Sequence, residues 1–351
     1  GGLSLAVAIA PGVLADGKVF RPVAYKGSLE EKAQEAIIIF QPGTEGRSAR
    51  EDLILKIQVA GRVKDFAWVV PLPNPPKTGR EDARLFQELH RYTKQRLAAS
   101  RKSGKTKSEG LAKAGADTAP QSVQVISRQV VGSYDVTVVR EKVAGSLNTW
   151  LADNGYQGVE GADDVIDFYR RKNYVFACMK VTDAASAAGT DRIDLHPLRF
   201  SFETGGRDGI FFPMRLTGLQ EDRFDVNLYV FYDKWINDRL SRYGYAHRSF
   251  RLHWRDYDGP RCKPNAGKSW SDPKGDPYLA AYARQIPTVT RLFQKLHPGN
   301  RYYMTNIQAR ALDPKDVRQW RDDLWMFPYY TDRRFVPHDA RPGGPAAIGY
   351  R

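Results

Sequence analysis

Cysteine is scarce in this 351-residue chain: only Cys178 and Cys262 occur, which excludes a disulfide-dense scaffold and a zinc site built on cysteine clusters. No apolar run reaches the roughly 18 residues needed to cross a bilayer, so the sequence offers no membrane-spanning helix. A Gly-x-Ser-x-Gly elbow and closely spaced His or Cys pairs are also lacking. The sequence therefore assigns no catalytic residue, and neither metal nor cofactor is expected. Glutamate is absent from Ser241 to Arg351, where 20 Lys or Arg face 10 Asp. About +10 of the formal charge of +14 thus lies in the last third. Disorder as the overall state is excluded by what is present, because hydrophobic residues make up 42% of the chain and can bury a core.

Leu3 to Ala15 is an uncharged apolar run ending in small residues before Asp16. It reads as the remnant of a signal peptide over residues 1–15, which predicts an extracytoplasmic protein that is periplasmic, envelope-associated or secreted. In an oxidising compartment Cys178 and Cys262 become candidates for a disulfide, although Cys178 lies in an apolar run and also reads as a small buried hydrophobe.

Alternation predicts strands at Val19–Tyr25, Ala36–Phe40, Leu53–Val59 and Phe66–Val70, the last stopped by Pro71 to Pro76. Leu85, Phe86, Leu89 and Tyr92 recur at helical spacing, placing an amphipathic helix over residues 80–98. Residues 98–122 hold Lys102, Lys105 and Lys107 among Gly, Ser and Ala, and read as a basic flexible linker or surface loop. Strands are expected again around Val123–Ile126, Tyr134–Val139, Tyr174–Val181, Leu198–Phe202, Ile210–Leu216, Phe224–Phe231, Ser249–Trp254 and Tyr302–Ile307. Short helices fall near Ser146–Leu151 and Asp164–Tyr169, and a longer one, interrupted at Pro287, over Tyr278–Leu296. The fold class is α+β, mostly antiparallel sheet with a few helices packed on one face. The chain divides into a β-rich part with a helix (16–97), the linker, an α+β part (123–240), a basic aromatic-rich part (241–335) and a disordered tail (336–351).

Asp65-Phe66-Ala67-Trp68-Val69-Val70-Pro71-Leu72-Pro73 is followed by the Leu85-Phe86 helix, then by Gly132-Ser133-Tyr134-Asp135, Leu151-Ala152-Asp153-Asn154-Gly155-Tyr156, Leu198-Arg199-Phe200-Ser201-Phe202 and Phe212-Pro213-Met214-Arg215-Leu216. In this order the segments resemble the bacterial domain of unknown function numbered 2330, over about residues 16–332. The resemblance implies an exported domain with no assigned activity, and carries no catalytic residue over. Read for themselves, Asp65, Phe66, Trp68, Pro71 and Pro73 specify fold: aromatics on one strand face, then prolines that enforce an extended exit.

Arg248, Arg251, His253 and Arg255 stand among Tyr245, Phe250 and Trp254. Strict alternation places Arg251 and His253 on one face, flanked by Arg248 and Arg255, making a candidate anion-binding patch. The functional expectation is a non-enzymatic binding or scaffold protein of the cell envelope. Its partner is an anionic polymer, a lipid headgroup or an acidic protein, with nucleic acid disfavoured by export. The alternative is a hydrolase acting on an envelope polymer.

Overall fold

The computed structural model describes residues 18–20, 23, 30–31, 33–56, 58–60, 66–97, 123–158, 161–181, 192–204, 209–234, 236, 250–255 and 267–326. These form strands β1 (Lys18–Phe20), β2 (Glu30–Glu31), β3 (Ala33–Gln41), β4 (Arg50–Lys56), β5 (Gln58–Ala60), β6 (Phe66–Leu72) and β7 (Lys77–Arg80). Helix α1 (Arg84–Leu97), β8 (Val123–Val131), β9 (Tyr134–Glu141), α2 (Ser146–Asp153), α3 (Asp163–Arg171) and β10 (Val175–Val181) follow. Next come β11 (Arg192–Asp194), β12 (Leu198–Glu203), β13 (Ile210–Phe212), β14 (Phe224–Tyr232) and β15 (Arg251–Arg255). The last elements are α4 (Pro287–Leu296), β16 (Tyr303–Leu312), α5 (Pro314–Arg318) and β17 (Leu324–Met326).

A seven-stranded sheet runs β15-β16-β14-β3-β4-β12-β7, and a five-stranded sheet runs β1-β6-β10-β9-β8. Among the described pairings, β3 with β14 is parallel and the rest are antiparallel. The architecture is α+β, as expected. Strands from both sides of residues 98–122 stand together in each large sheet, β6 beside β10 and β4 beside β12. The segment 241–335 adds β15 and β16 to the larger one. Residues 1–15, 98–122 and 336–351 lie outside the described residues.

Side-chain alternation sets the layers. Phe66, Trp68 and Val70 of β6 stand opposite Val181, Met179 and Ala177 of β10, in a core shared with Ile38, Phe40, Leu53, Leu55 and Phe200 of the larger sheet. Trp68 is fully buried, with its ring 6.3 Å from Tyr134 and 6.5 Å from Phe200. Ile37, Ile39, Ile54, Tyr229 and Phe231 line the other face of the larger sheet, under Leu85, Phe86, Leu89 and Tyr92 of α1 and Val289, Leu292 and Phe293 of α4. On the outer face of the smaller sheet, Phe176 meets Tyr169 of α3 at 5.8 Å. The layers are helix, five-stranded sheet, seven-stranded sheet, helix. Each sheet carries helices on one face and buries the other against its partner.

Several motifs explain themselves locally. Gly132 has φ +59, and a Cβ there would stand 2.0 Å from His196 Nε2. That ring nitrogen accepts the Ser133 N–H at 3.1 Å, so the Gly-Ser pair is a dock for His196. Burial holds the His196 imidazole below its ordinary pKa, which keeps the accepting nitrogen free of a proton. Gly155, with φ +86, ends α2 as the Asn154-Gly155 pair predicts.

Other expectations change. Strand β6 continues through Pro71, opposite Phe176, to Leu72. Its other neighbour β1 covers only Ala67 to Val69, so beyond Val69 one edge lacks a partner and a missing N–H is tolerated. After Pro73 to Pro76 the chain forms β7, a strand the prolines masked. Pro287 starts α4 as its first residue instead of interrupting it. The Ile210–Leu216 strand ends at Phe212, where Phe211 pairs with Trp325. Asp65 and Cys262 lie outside the described residues. Cys178, whose expected partner Cys262 is thus not described, is buried in mid-strand as a thiol that donates weakly to Phe176 O at 3.9 Å. Burial pushes that thiol far above its ordinary pKa, so it is inert.

Polar side chains on the outer face of the large sheet form a closed network. Glu35 accepts from Asn227 Nδ2 at 2.8 Å, and Asn227 Oδ1 accepts from Asn306 at 2.7 Å and Gln308 at 3.1 Å. Burial raises the Glu35 carboxyl to about 7 despite Asn227, Lys56 and Tyr229, which act to lower it.

Two outcomes are expected. Trp68→Ala lowers stability by about 3–5 kcal/mol, read from the denaturation midpoint; a change under about 1 kcal/mol would contradict the two-sheet core. Glu35 binds its proton more tightly folded than unfolded. Its contribution is therefore full below the ordinary carboxylate range and is lost as pH rises through about 7. Stability should fall between pH 5 and pH 8 by roughly 3 kcal/mol from this group, and Glu35→Gln should remove that part of the slope. Equal pH slopes in both proteins would refute the assignment.

Candidate functional site

Because β3 and β14 run parallel, their carboxyl ends leave the large sheet at the same edge, Gln41 from one and Asp233 after the other. Strand β12 ends there too, at Glu203 opposite Arg50, the first residue of β4. Asn300, Arg301 and Tyr302 lead into β16 at the same place. The connection from β3 to β4 folds back on itself, with Thr44 and Arg47 exchanging backbone hydrogen bonds of 3.0 and 2.9 Å. Gly46 takes φ +76 in that turn, and a Cβ at Gly43 would stand 2.9 Å from Arg47 O. Together these segments enclose a cleft of about 740 Å³ lined by Gln41, Pro42, Arg47, Ser48, Arg50, Glu203, Asp233, Asn300, Arg301 and Tyr302, among others.

Arg47 and Arg50 are exposed and make no side-chain ion pair among the described residues. Arg301 is anchored, donating to Asp276 at 2.8 Å and to Gly267 O at 2.5 Å. Tyr302 accepts from Asn300 Nδ2 at 3.2 Å. Burial raises its hydroxyl pKa, opposed by hydrogen bonds from Asn300 and Gln41. Burial likewise raises the Asp233 carboxyl, opposed by Lys234. The cleft therefore combines guanidinium forks, amides and carboxylates on strand ends and the adjoining turns.

Behind Tyr302 lies a second cluster. The His297 ring, 5.7 Å from that of Tyr302, bonds through Nε2 to Asp52 Oδ2 at 2.9 Å. Asp52 also accepts from Ser201 Oγ and from Arg199 Nη1, the latter at 3.2 Å, while Arg199 Nε donates to Glu81 at 2.9 Å. Burial pushes the Asp52 carboxyl up, but the His297 and Ser201 hydrogen bonds and the nearby cationic groups outweigh it and leave the carboxyl below the usual range. His297 Nδ1 is buried without a partner. Ser201 donates to the acid and not to the imidazole, so the acid is the hub of the cluster. A nucleophile relay would need the imidazole in the middle.

The residues singled out from sequence fall elsewhere. Arg248 lies outside the described residues, as do the side chains of Arg251, His253 and Arg255. Their backbone forms β15, at one edge of the large sheet. Arg251 stands opposite Gln308 and Arg255 opposite Thr305, with a register shift between Leu252 and Trp254 that interrupts strict alternation. Phe66, Trp68 and Pro71 are buried in the sandwich, away from the cleft lining. Asp163 and Asp164 open α3. Asp322 and Asp323 are buried ahead of β17. Asp323 accepts from Tyr169, Met214 N and Arg215 N at 2.8, 2.8 and 2.9 Å. Burial, with Asp322 adjacent, raises its carboxyl to about 6. Sequence reasoning missed Arg47, Arg50 and Arg301, whose separation of some 250 positions leaves no spacing to read; Pro42-Gly43 and Pro298-Gly299 mark only the turns beside them.

Among the described residues no helix is long and apolar enough to cross a membrane. Among solved structures the chain is similar to the crystal structure of baculovirus P35, at 11% identity and a TM-score of 0.35, over 66% of this chain and 74% of that one. Comparison with curated proteins gives no match. Residues 44–321 match the family described as "uncharacterized protein conserved in bacteria" (DUF2330), and the chain belongs to that family.

Proposed function

We propose that this chain is an exported, non-enzymatic binding protein of the cell envelope that holds an anionic partner in the cleft at the carboxyl ends of β3 and β14. The observation that carries the reading is the convergence of Arg47, Arg50 and Arg301 on that cleft. Guanidinium groups bind carboxylate or phosphate through paired hydrogen bonds, and among the described residues Arg47 and Arg50 have no acid as an ion-pair partner. The apolar stretch Leu3–Ala15 supports export, and the basic last third supports an anionic polymer, a lipid headgroup or an acidic protein as partner. A second reading, a hydrolase acting on an envelope polymer, is favoured by the His297–Asp52 pair behind Tyr302. There the imidazole, oriented by Asp52, is the general base.

Retention on an anionic matrix tests the binding reading, because the attraction weakens as salt shortens the Debye length from roughly 10 Å at 0.1 M to about 3 Å at 1 M. Arg47→Ala with Arg50→Ala should elute at clearly lower salt than Lys102→Ala with Lys105→Ala, which removes equal charge elsewhere. Equal shifts would reduce the effect to net charge and remove the cleft. The triple change Arg248→Ala, Arg251→Ala and Arg255→Ala, set against Lys102→Ala, Lys105→Ala and Lys107→Ala, measures the expected basic patch in the same way. Polymer cleavage that vanishes in His297→Ala would put the hydrolase first. For export, the mature protein should begin at Asp16, and exported protein retaining Leu3–Ala15 would refute the processing.

A further inference from the structure

Resting on that reading of the cleft, we infer that its ligand is an acidic sugar unit, a carboxylate-bearing pyranose of the uronic acid type within a polysaccharide. The argument is the mixture of groups. Arg47 and Arg50 stand in the same wall as Glu203 and Asp233. A bare polyanion brings only acceptors, and two carboxylates in the wall would repel it. A neutral sugar has hydroxyls for Glu203 and Asp233 but nothing that calls for unpaired guanidinium forks. A sugar acid uses both: its carboxylate meets Arg47 or Arg50 bidentately, and its hydroxyls donate to the acids and accept from amides.

Tyr302 adds a hydroxyl to the lining, held by Asn300, whose Nδ2 donates to its oxygen at 3.2 Å. Pro42 supplies a half-buried apolar surface in the lining for the C–H face of a ring. The volume of about 740 Å³ lies within the range of about 300–1,000 Å³ found for ligand pockets. Arg50 and Glu203 oppose each other in the register of β4 and β12, so cation and anion are held on neighbouring strand ends at a spacing set by the sheet.

The test titrates the full chain at physiological salt with three probes: a trimer of galacturonic acid, maltotriose as a neutral sugar of equal length, and tripolyphosphate as a bare anion. The uronate trimer should bind saturably, with the other two at least about tenfold weaker. Arg50→Ala should weaken uronate binding about tenfold. Glu203→Ala should weaken it too, while strengthening tripolyphosphate, because only a sugar gains from the acid. Both side chains are exposed, and unchanged thermal midpoints would show that the variants fold. If tripolyphosphate binds as tightly as the uronate trimer, or Glu203→Ala strengthens both, the sugar class is overturned while the anion-binding cleft stands. Equal binding of maltotriose overturns the role of the carboxylate. No binding of any probe overturns the inference, and the matrix comparison of Arg47 and Arg50 with Lys102 and Lys105 then decides separately whether the cleft holds anions at all.

Discussion

The seven-stranded sheet buries both of its faces, and the placement of every other group depends on that constraint. Ala36 to Phe40 of β3 are buried without a break, alternately against the smaller sheet and against α1 and α4. A polar side chain in mid-strand must find a partner, since leaving it unsatisfied costs about 1–3 kcal/mol. Glu35 finds Asn227, and Asp52 finds His297, Ser201 and Arg199. The donors of the cleft stand at strand ends, where water reaches them. Arg47, Arg50, Asn300 and Arg301 all sit at such ends or in the adjoining turns.

The same constraint sorts charge by sign. Buried acids among the described residues are Glu35, Glu51, Glu88, Asp135, Glu141, Asp276, Asp322 and Asp323, against buried Lys56 and Lys268. Acids are useful inside because a carboxylate accepts several backbone N–H groups at once. Glu88 of α1 caps the start of α4 through Thr288 N and Val289 N at 2.8 and 2.9 Å, clamping the two helices of the outer layer together. Asp323 gathers two N–H groups of the Phe212–Leu216 motif and the Tyr169 hydroxyl of α3. Three of the buried acids reach a cation nearer the surface: Asp135 meets Arg128 at 2.6 Å, Asp276 meets Arg301 at 2.8 Å and Asp322 meets Lys172 at 2.5 Å.

What could be read in advance followed from periodicity. The 3.6-residue recurrence of Leu85, Phe86, Leu89 and Tyr92 marked the buried stripe of α1, and alternation marked β3, β9, β12 and β14. Local punctuation worked where a turn needs glycine, at Gly155, and misled where proline was tolerated at a half-unpaired edge, at Pro71. The parallel register of β3 on β14 was not legible, because it joins segments some 190 positions apart. The cleft was hidden for the same reason: its side chains come from four separate stretches, none with a periodic or motif-like pattern. The patch around Arg251 rested on strict alternation, and one bulge in β15 is enough to interrupt it.

The parallel pair also explains why the cleft stands where it does. In a purely antiparallel sheet, successive hairpins close each edge, and neighbouring strands leave and enter side by side. Here β3 and β14 both leave at one edge, so their chains must part to avoid each other, one turning into the Pro42–Ala49 connection and the other passing Asp233. Strand β16 enters on the other side of β14, with Tyr302 already fixed by backbone bonds to Lys268 at 2.8 and 3.0 Å. Asp52 lies behind that tyrosine, where it is held from the interior by hydrogen bonds with His297 and Arg199. The gap that topology opens is thus lined by Arg47 and Arg50, which make no ion pair among the described residues, and by Arg301, which Asp276 holds in place.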